Sequence, residues 1–179
     1  MTKTTGAIIM KPQDWKIIEH MTLNYDKEIG AFGVGEVKDG EIIINKLVFP
    51  EQTVNSAHVH IGVDDWSSLV KELTPEEFGK VIFYWHKHPN GSATSSQGDE
   101  DDTYDAMMDK PKGPKVMGFL VTSNCGGKIE QDCRIEMRKP IVSSIPAQAI
   151  SIEDASMEKK CEKIIQEKIE KPDLKKEKE

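Results

Sequence analysis

Cysteine is scarce: Cys125, Cys133 and Cys161 are scattered through 179 residues with no paired short spacing. That excludes a disulfide framework and argues against a separate Cys-rich zinc module. An odd, dispersed set of thiols suits a reducing compartment, so the expected location is cytoplasmic. No uninterrupted apolar run approaches the length of a membrane span, and the stretch Ala7-Ile8-Ile9-Met10 is too short for a secretory core. Positive charge is also short, with 24 Lys and Arg against 31 Asp and Glu and a formal net charge of −7. Without clustered Lys and Arg there is no footprint for general nucleic-acid binding, and neither a nucleic acid nor a membrane is an expected partner.

What the chain does hold is Trp85-His86-Lys87-His88-Pro89, followed by Ser96-Gln97-Gly98-Asp99. Val81 to Trp85 are β-branched and aromatic, which predicts a buried strand with His86 and His88 at its C-terminal end. Side chains alternate along a strand, so both imidazoles face one way and Lys87 the other. Pro89 stops the strand, and the Asn90-Gly91-Ser92 turn leads to the acidic run Asp99 to Asp102, which reads as the first turn of a helix. Only Asp99 is assigned to the metal; its neighbours and Asp105 read as a solvated helix start. Two imidazoles and one carboxylate leave a fourth tetrahedral position open, the arrangement of a catalytic rather than a structural zinc. One Zn2+ per chain is therefore expected. His58-Val59-His60 also sets two imidazoles on one side of a strand, but no carboxylate follows at a matching spacing, and the pair reads as structural or surface.

The segment His86-Lys87-His88-Pro89 with Ser96-Gln97-Gly98-Asp99 resembles the signature of the JAMM (JAB1/MPN/Mov34) metalloproteases, H-x-H-P and then S-x-x-D. The family also carries a glutamate in an early strand with a glycine seven residues on, and Glu28 with Gly35 matches. The resemblance covers Asp14 to Met137. It implies an α+β (α/β) fold of MPN/JAMM type, a cytidine-deaminase-like curved mixed β-sheet flanked by helices, with a catalytic domain over residues 1–140. From Pro140 the composition changes, and residues 141–179 read as a C-terminal extension with an amphipathic helix and a charged tail. The resemblance also implies a zinc isopeptidase that hydrolyses the bond after the C-terminus of ubiquitin or a ubiquitin-like protein. His86, His88 and Asp99 would hold the metal. Glu28 would act through the water on the zinc, first as base and then as acid. Ser96 would donate to the developing oxyanion.

Two departures stand out. Relatives with deubiquitinating activity usually place Ser or Thr where this chain has Lys87. No His- and Cys-rich insertion follows Asp99, so linkage selectivity does not carry over. Alternatives are a zinc peptidase acting on another peptide, such as a small-protein precursor or cell-wall peptide, and a non-catalytic MPN scaffold.

Along the chain, Asp14 reads as the N-cap of a helix with Trp15, Ile18 and Met21 on one side. Residues 29–37 and 41–49 read as a hairpin around Asp39-Gly40. A strand over 57–61, a helix over 64–73 and a capping box at Thr74 and Glu77 precede the histidine strand. A helix over 99–108 and a second hairpin, 116–121 with 129–137 through Gly126-Gly127, follow it. Residues 143–146 read as a loop or edge strand. Residues 153–169 read as an amphipathic helix that packs on the domain, on another copy or on an activating partner, and 171–179 as a charged tail.

Overall fold

In the computed structural model, the described residues are 6–54, 59–60, 69, 71–89, 91–94, 114–137, 143–150 and 158–169. Alternating and continuous apolar runs, broken by turn residues, give strands β1 (Gly6–Met10), β2 (Ile29–Lys38), β3 (Glu41–Val48), β4 (Thr53–Val54), β5 (Val59–His60), β6 (Val81–His88), β7 (Val116–Cys125), β8 (Lys128–Met137) and β9 (Ser143–Ile150). Helices are α1 (Pro12–Asn24), the single turn α2 (Pro75–Phe78) and α3 (Glu158–Ile164), which runs on as a π-helix over Ile165–Ile169.

Seven strands close a barrel in the order β1-β3-β2-β6-β7-β8-β9, while β4 and β5 pair separately. Closure corrects the expected α+β (α/β) fold, a curved open sheet of MPN/JAMM, cytidine-deaminase-like type flanked by helices. The physical reason is β9. It pairs antiparallel with β8 and parallel with β1, matching Gly6 to Ala147 and Ile8 to Ala149, so that no edge of this sheet is left open. Residues 143–146, expected as a loop or edge strand, thus belong to a barrel strand. The described residues are mostly strand, and their longest α-helix is α1.

Both hairpin turns form as the residue types predict. Asp39 and Gly40 have φ of 52° and 84°, and Gly126 and Gly127 have 63° and 85°, the left-handed pairs that match strand twist in two-residue loops. The capping box also forms, with Glu77 N–H donating to Thr74 Oγ1 at 3.2 Å and Thr74 N–H to Glu77 Oε2 at 2.8 Å. The start of α1 differs from expectation. Its N-cap is Lys11 and Pro12 takes the first helical position, which suits a residue with fixed φ and no N–H. Asp14 lies in the first turn. The expected strand over 57–61 and helix over 64–73 fall mostly outside the described residues; the helix over 99–108 does so entirely.

Alternation along β6 divides the core in two. Phe83 and Trp85 join Ile8, Ile42, Ile44, Leu120 and Ile135 in a cluster filled by Ile17, Ile18 and Met21 of α1 and by Cys161 of α3. Tyr84 joins Phe32, Val34, Leu69, Leu73, Met117 and Phe119 on the other face. Strand β6 is therefore apolar on both faces, as its continuous hydrophobic run requires. Gly118 permits the close approach of strands across the first cluster. A Cβ there would stand 2.6 Å from Ile8 Cδ1 and 3.0 Å from Ile42 Cδ1. The C-terminal helix packs Cys161, Ile164 and Ile165 against this same cluster.

Candidate metal centre

The central position of β6, antiparallel to β2 on one side and parallel to β7 on the other, fixes the backbone of His86 and His88. Their rings lie on the Tyr84 side. Tyr84 stacks on His86 with ring centroids 5.6 Å apart, and His86 and His88 follow at 5.0 Å. His86 is 1% exposed, so its ring has little freedom to turn.

The two Nε2 atoms are 3.1 Å apart. Nitrogens each about 2.0–2.1 Å from one tetrahedral zinc would lie roughly 3.3–3.4 Å apart, so a small closing of the angle accommodates the observed spacing. The tautomer agrees as well. His88 Nδ1 is 2.9 Å from the carbonyl oxygen of Ser92, which can only accept, so Nδ1 carries the proton and Nε2 presents its lone pair. A histidine that ligates a metal commonly has its second nitrogen fixed in this way. The pair therefore fits a shared cation.

The loop after β6 is itself fastened to the neighbouring strands. Ser123, fully buried on β7 opposite His88, donates its hydroxyl to Gly91 O at 2.8 Å, and Ala93 N–H donates to Glu130 Oε2 of β8 at 3.1 Å. Cys125 adds a thiol donor to Gly91 O at 3.0 Å. The thiol also lies 3.4 Å from Glu130 Oε2, and sharing its proton with that carboxylate raises the Cys125 pKa. These contacts hold residues 91–93 so that Ser92 O meets the His88 ring.

Glu28 sits one residue before β2. Ile29 pairs with Lys87 and Gly30 with His86, which brings Glu28 level with His88 in the antiparallel register. Gln52 secures this end of β2, accepting from Gly30 N–H at 2.7 Å and donating to Gly30 O at 2.8 Å, where β3 no longer runs alongside. Lys87 points to the opposite face, as expected, and is fully buried. Its Nζ donates to Lys27 O at 3.2 Å. Burial pushes its pKa down to about 8, against the opposing pull of Asp26 and then Glu28.

Ser96 and Asp99 lie outside the described residues, as does His58; His60 is placed in β5 by its backbone. Among the described residues no third His, Cys, Asp or Glu joins His86 and His88. Sequence reasoning missed Gln52, Ser123 and Glu130. Nothing local marks them, because each acts on a segment remote in sequence. Among the described residues no helix is long and apolar enough to cross a membrane.

No family model matches the chain, and no curated protein matches it. Solved structures do. The solution structure of a Desulfitobacterium hafniense protein, a structural-genomics target, is similar with a TM-score of 0.53 and 13% identity, over 84% of this chain and 97% of that one. At that identity the likeness concerns the fold alone.

Proposed function

We propose that the chain is a zinc-dependent metallo-isopeptidase that hydrolyses the bond after the C-terminus of ubiquitin or a ubiquitin-like protein. The observation that carries the metal assignment is the 3.1 Å convergence of His86 and His88 Nε2, with His88 Nδ1 committed to Ser92 O. The reaction class and the substrate come from the motif resemblance, which supplies Asp99 as third ligand and Ser96 as oxyanion donor. A bound zinc would bring a water molecule to a pKa near neutrality and polarise the scissile carbonyl.

The chain's own residues carry the rest. Glu28, level with His88 at the end of β2, takes the proton from the attacking water and returns it to the departing amine. Its carboxylate can serve in both directions because it is not spent as a ligand. Ser96 donates to the oxygen on which charge develops. His86 and His88 bring their Nε2 atoms to one point, the first held by burial and the second by the Ser92 carbonyl.

The test is cleavage of a panel of ubiquitin chains and Gly-Gly-terminated ubiquitin-like fusions by zinc-loaded protein, with Glu28→Gln in parallel. Cleavage by the wild type and not by the variant is expected. Cleavage by both would remove Glu28 from the chemistry. Zinc bound at one per chain with no cleavage would turn the assignment toward a peptidase with another substrate.

A further inference from the structure

A lysine with no exposed surface is costly unless its ammonium finds a partner, since the charged form loses its hydration. Lys87 is such a residue, set between the two histidines but facing the other way, into the barrel side lined by Trp85. Its Nζ reaches Lys27 O at 3.2 Å, and the carboxylates of Asp26 and Glu28 stand near enough to act on its charge. All three belong to the connection between α1 and β2. A second side chain on the same side, Asn124 of β7, donates to Leu23 O at 3.0 Å, where α1 ends. The connection is thus held at its start by Asn124 and near its finish by Lys87. Between Lys27 and the first ladder residue, Ile29, lies Glu28.

We infer that Lys87 is a positioning residue for Glu28, fastening the connection between α1 and β2 from inside the barrel so that the carboxylate stays level with His88. The inference rests on the assignment of Glu28 in the proposed function. Lys87 takes no part in binding the cation, because alternation along β6 sends its side chain to the face opposite the two imidazoles. It acts through the backbone of Lys27, and its influence on chemistry passes entirely through Glu28. Misplacement of a catalytic group by about an ångström can lower turnover on the order of a hundredfold while binding is untouched.

Lys87→Met keeps an unbranched chain and removes the donor. Amide hydrogen exchange over residues 26–29, zinc stoichiometry, melting temperature and steady-state kinetics would be measured on the full chain beside the wild type. Exchange at 26–29 should quicken by about tenfold or more, with zinc still bound at one per chain and β6 amides unchanged. On any substrate the panel yields, kcat should fall by about tenfold or more with KM within about twofold. Unchanged exchange at 26–29 would overturn the inference, and so would a rise shared equally by the whole barrel, which marks a structural role alone. Local quickening in a protein whose wild type cleaves nothing supports the fastening and counts against the proposed activity. Should Lys87→Met not fold, nuclear Overhauser contacts of the wild-type Lys87 side chain decide the matter. Contacts to the Lys27 and Glu28 amides support it, and their absence rejects it.

Discussion

Trp85 donates its indole N–H to Thr122 Oγ1 at 2.9 Å, across the β6–β7 pair and behind the histidines. The bond sets a direction for a whole chain of hydroxyls. Thr22 Oγ1 donates to Ile18 O at 2.7 Å, so in its 2.7 Å contact with Thr122 it accepts. Protons therefore run from Trp85 to Thr122, to Thr22, and to the backbone of α1. Every member is buried, and each polar group in the sequence is satisfied by the next.

Thr122→Val should break this network from its middle. Trp85 would lose its acceptor and Thr22 its donor at nearly constant volume, leaving a buried indole N–H unsatisfied. A loss of about 1–3 kcal/mol in urea unfolding is expected. The double variant with Thr22→Val should cost less than the sum of the two single changes, which a double-mutant cycle would read.

His88→Ala should abolish zinc binding in equilibrium dialysis, and His86→Ala should do the same. Glu28→Gln should retain one zinc per chain. Loss of zinc in Glu28→Gln would show that a ligand had been mistaken for the base. Chelation of the wild type should remove hydrolysis, and added zinc should restore it.

The clamp on the loop after β6 can be tested apart from the ligands. Ser123→Ala removes the donor to Gly91 O and should loosen the carbonyl that fixes His88 Nδ1. Zinc affinity should fall by about 10- to 100-fold, the range typical of contacts that orient a ligand. Competition with a chromophoric chelator measures it, and an unchanged affinity would separate the clamp from the metal.

Cys133 gives a pH dependence with a defined sign. Burial, aided by Asp132, pushes its thiol from 9.0 up to about 12. In the unfolded chain the thiol loses its proton first as pH rises through 9, so the folded state then binds more protons. Stability from this group is therefore intact below pH 9 and falls as pH rises toward 12, by up to about 1.4 kcal/mol per pH unit. Cys133→Ala should be the less stable protein near pH 7, by about 1 kcal/mol for the small cavity. Its disadvantage should shrink between pH 9 and 11. Urea midpoints of both proteins across that range provide the check, and parallel curves would refute it.

The histidine strand was legible in the sequence because its evidence is local. A continuous apolar run, alternation and a terminal proline are enough to orient His86, Lys87 and His88. Both hairpins were legible for the same reason, since Asp39-Gly40 and Gly126-Gly127 announce their own backbone angles. The closed barrel was not. The pairing of β1 with β9 joins segments from opposite ends of the chain, and no local pattern records a partner so distant. Pro146 adds to the difficulty, because proline in a strand argues for an edge. Here it falls one residue before Ala147, the first described residue matched to β1. Asp14 misled in another way: an acidic residue suits the first turn of a helix as well as its cap, and Pro12 marks the true start.

The matching of Gly6 to Ala147 and Ile9 to Ile150 also governs when this molecule can finish folding. During synthesis β1 leaves the ribosome long before β9, the neighbour that closes the barrel against it. The histidine strand and its partners β2 and β7 can assemble meanwhile, but β1 and β8 stay bare along one side until β9 arrives. Contacts of such wide sequence separation slow folding, and bare strands invite pairing with other chains. A chain halted after β8 would therefore carry the histidine strand intact and still be the form most prone to aggregate.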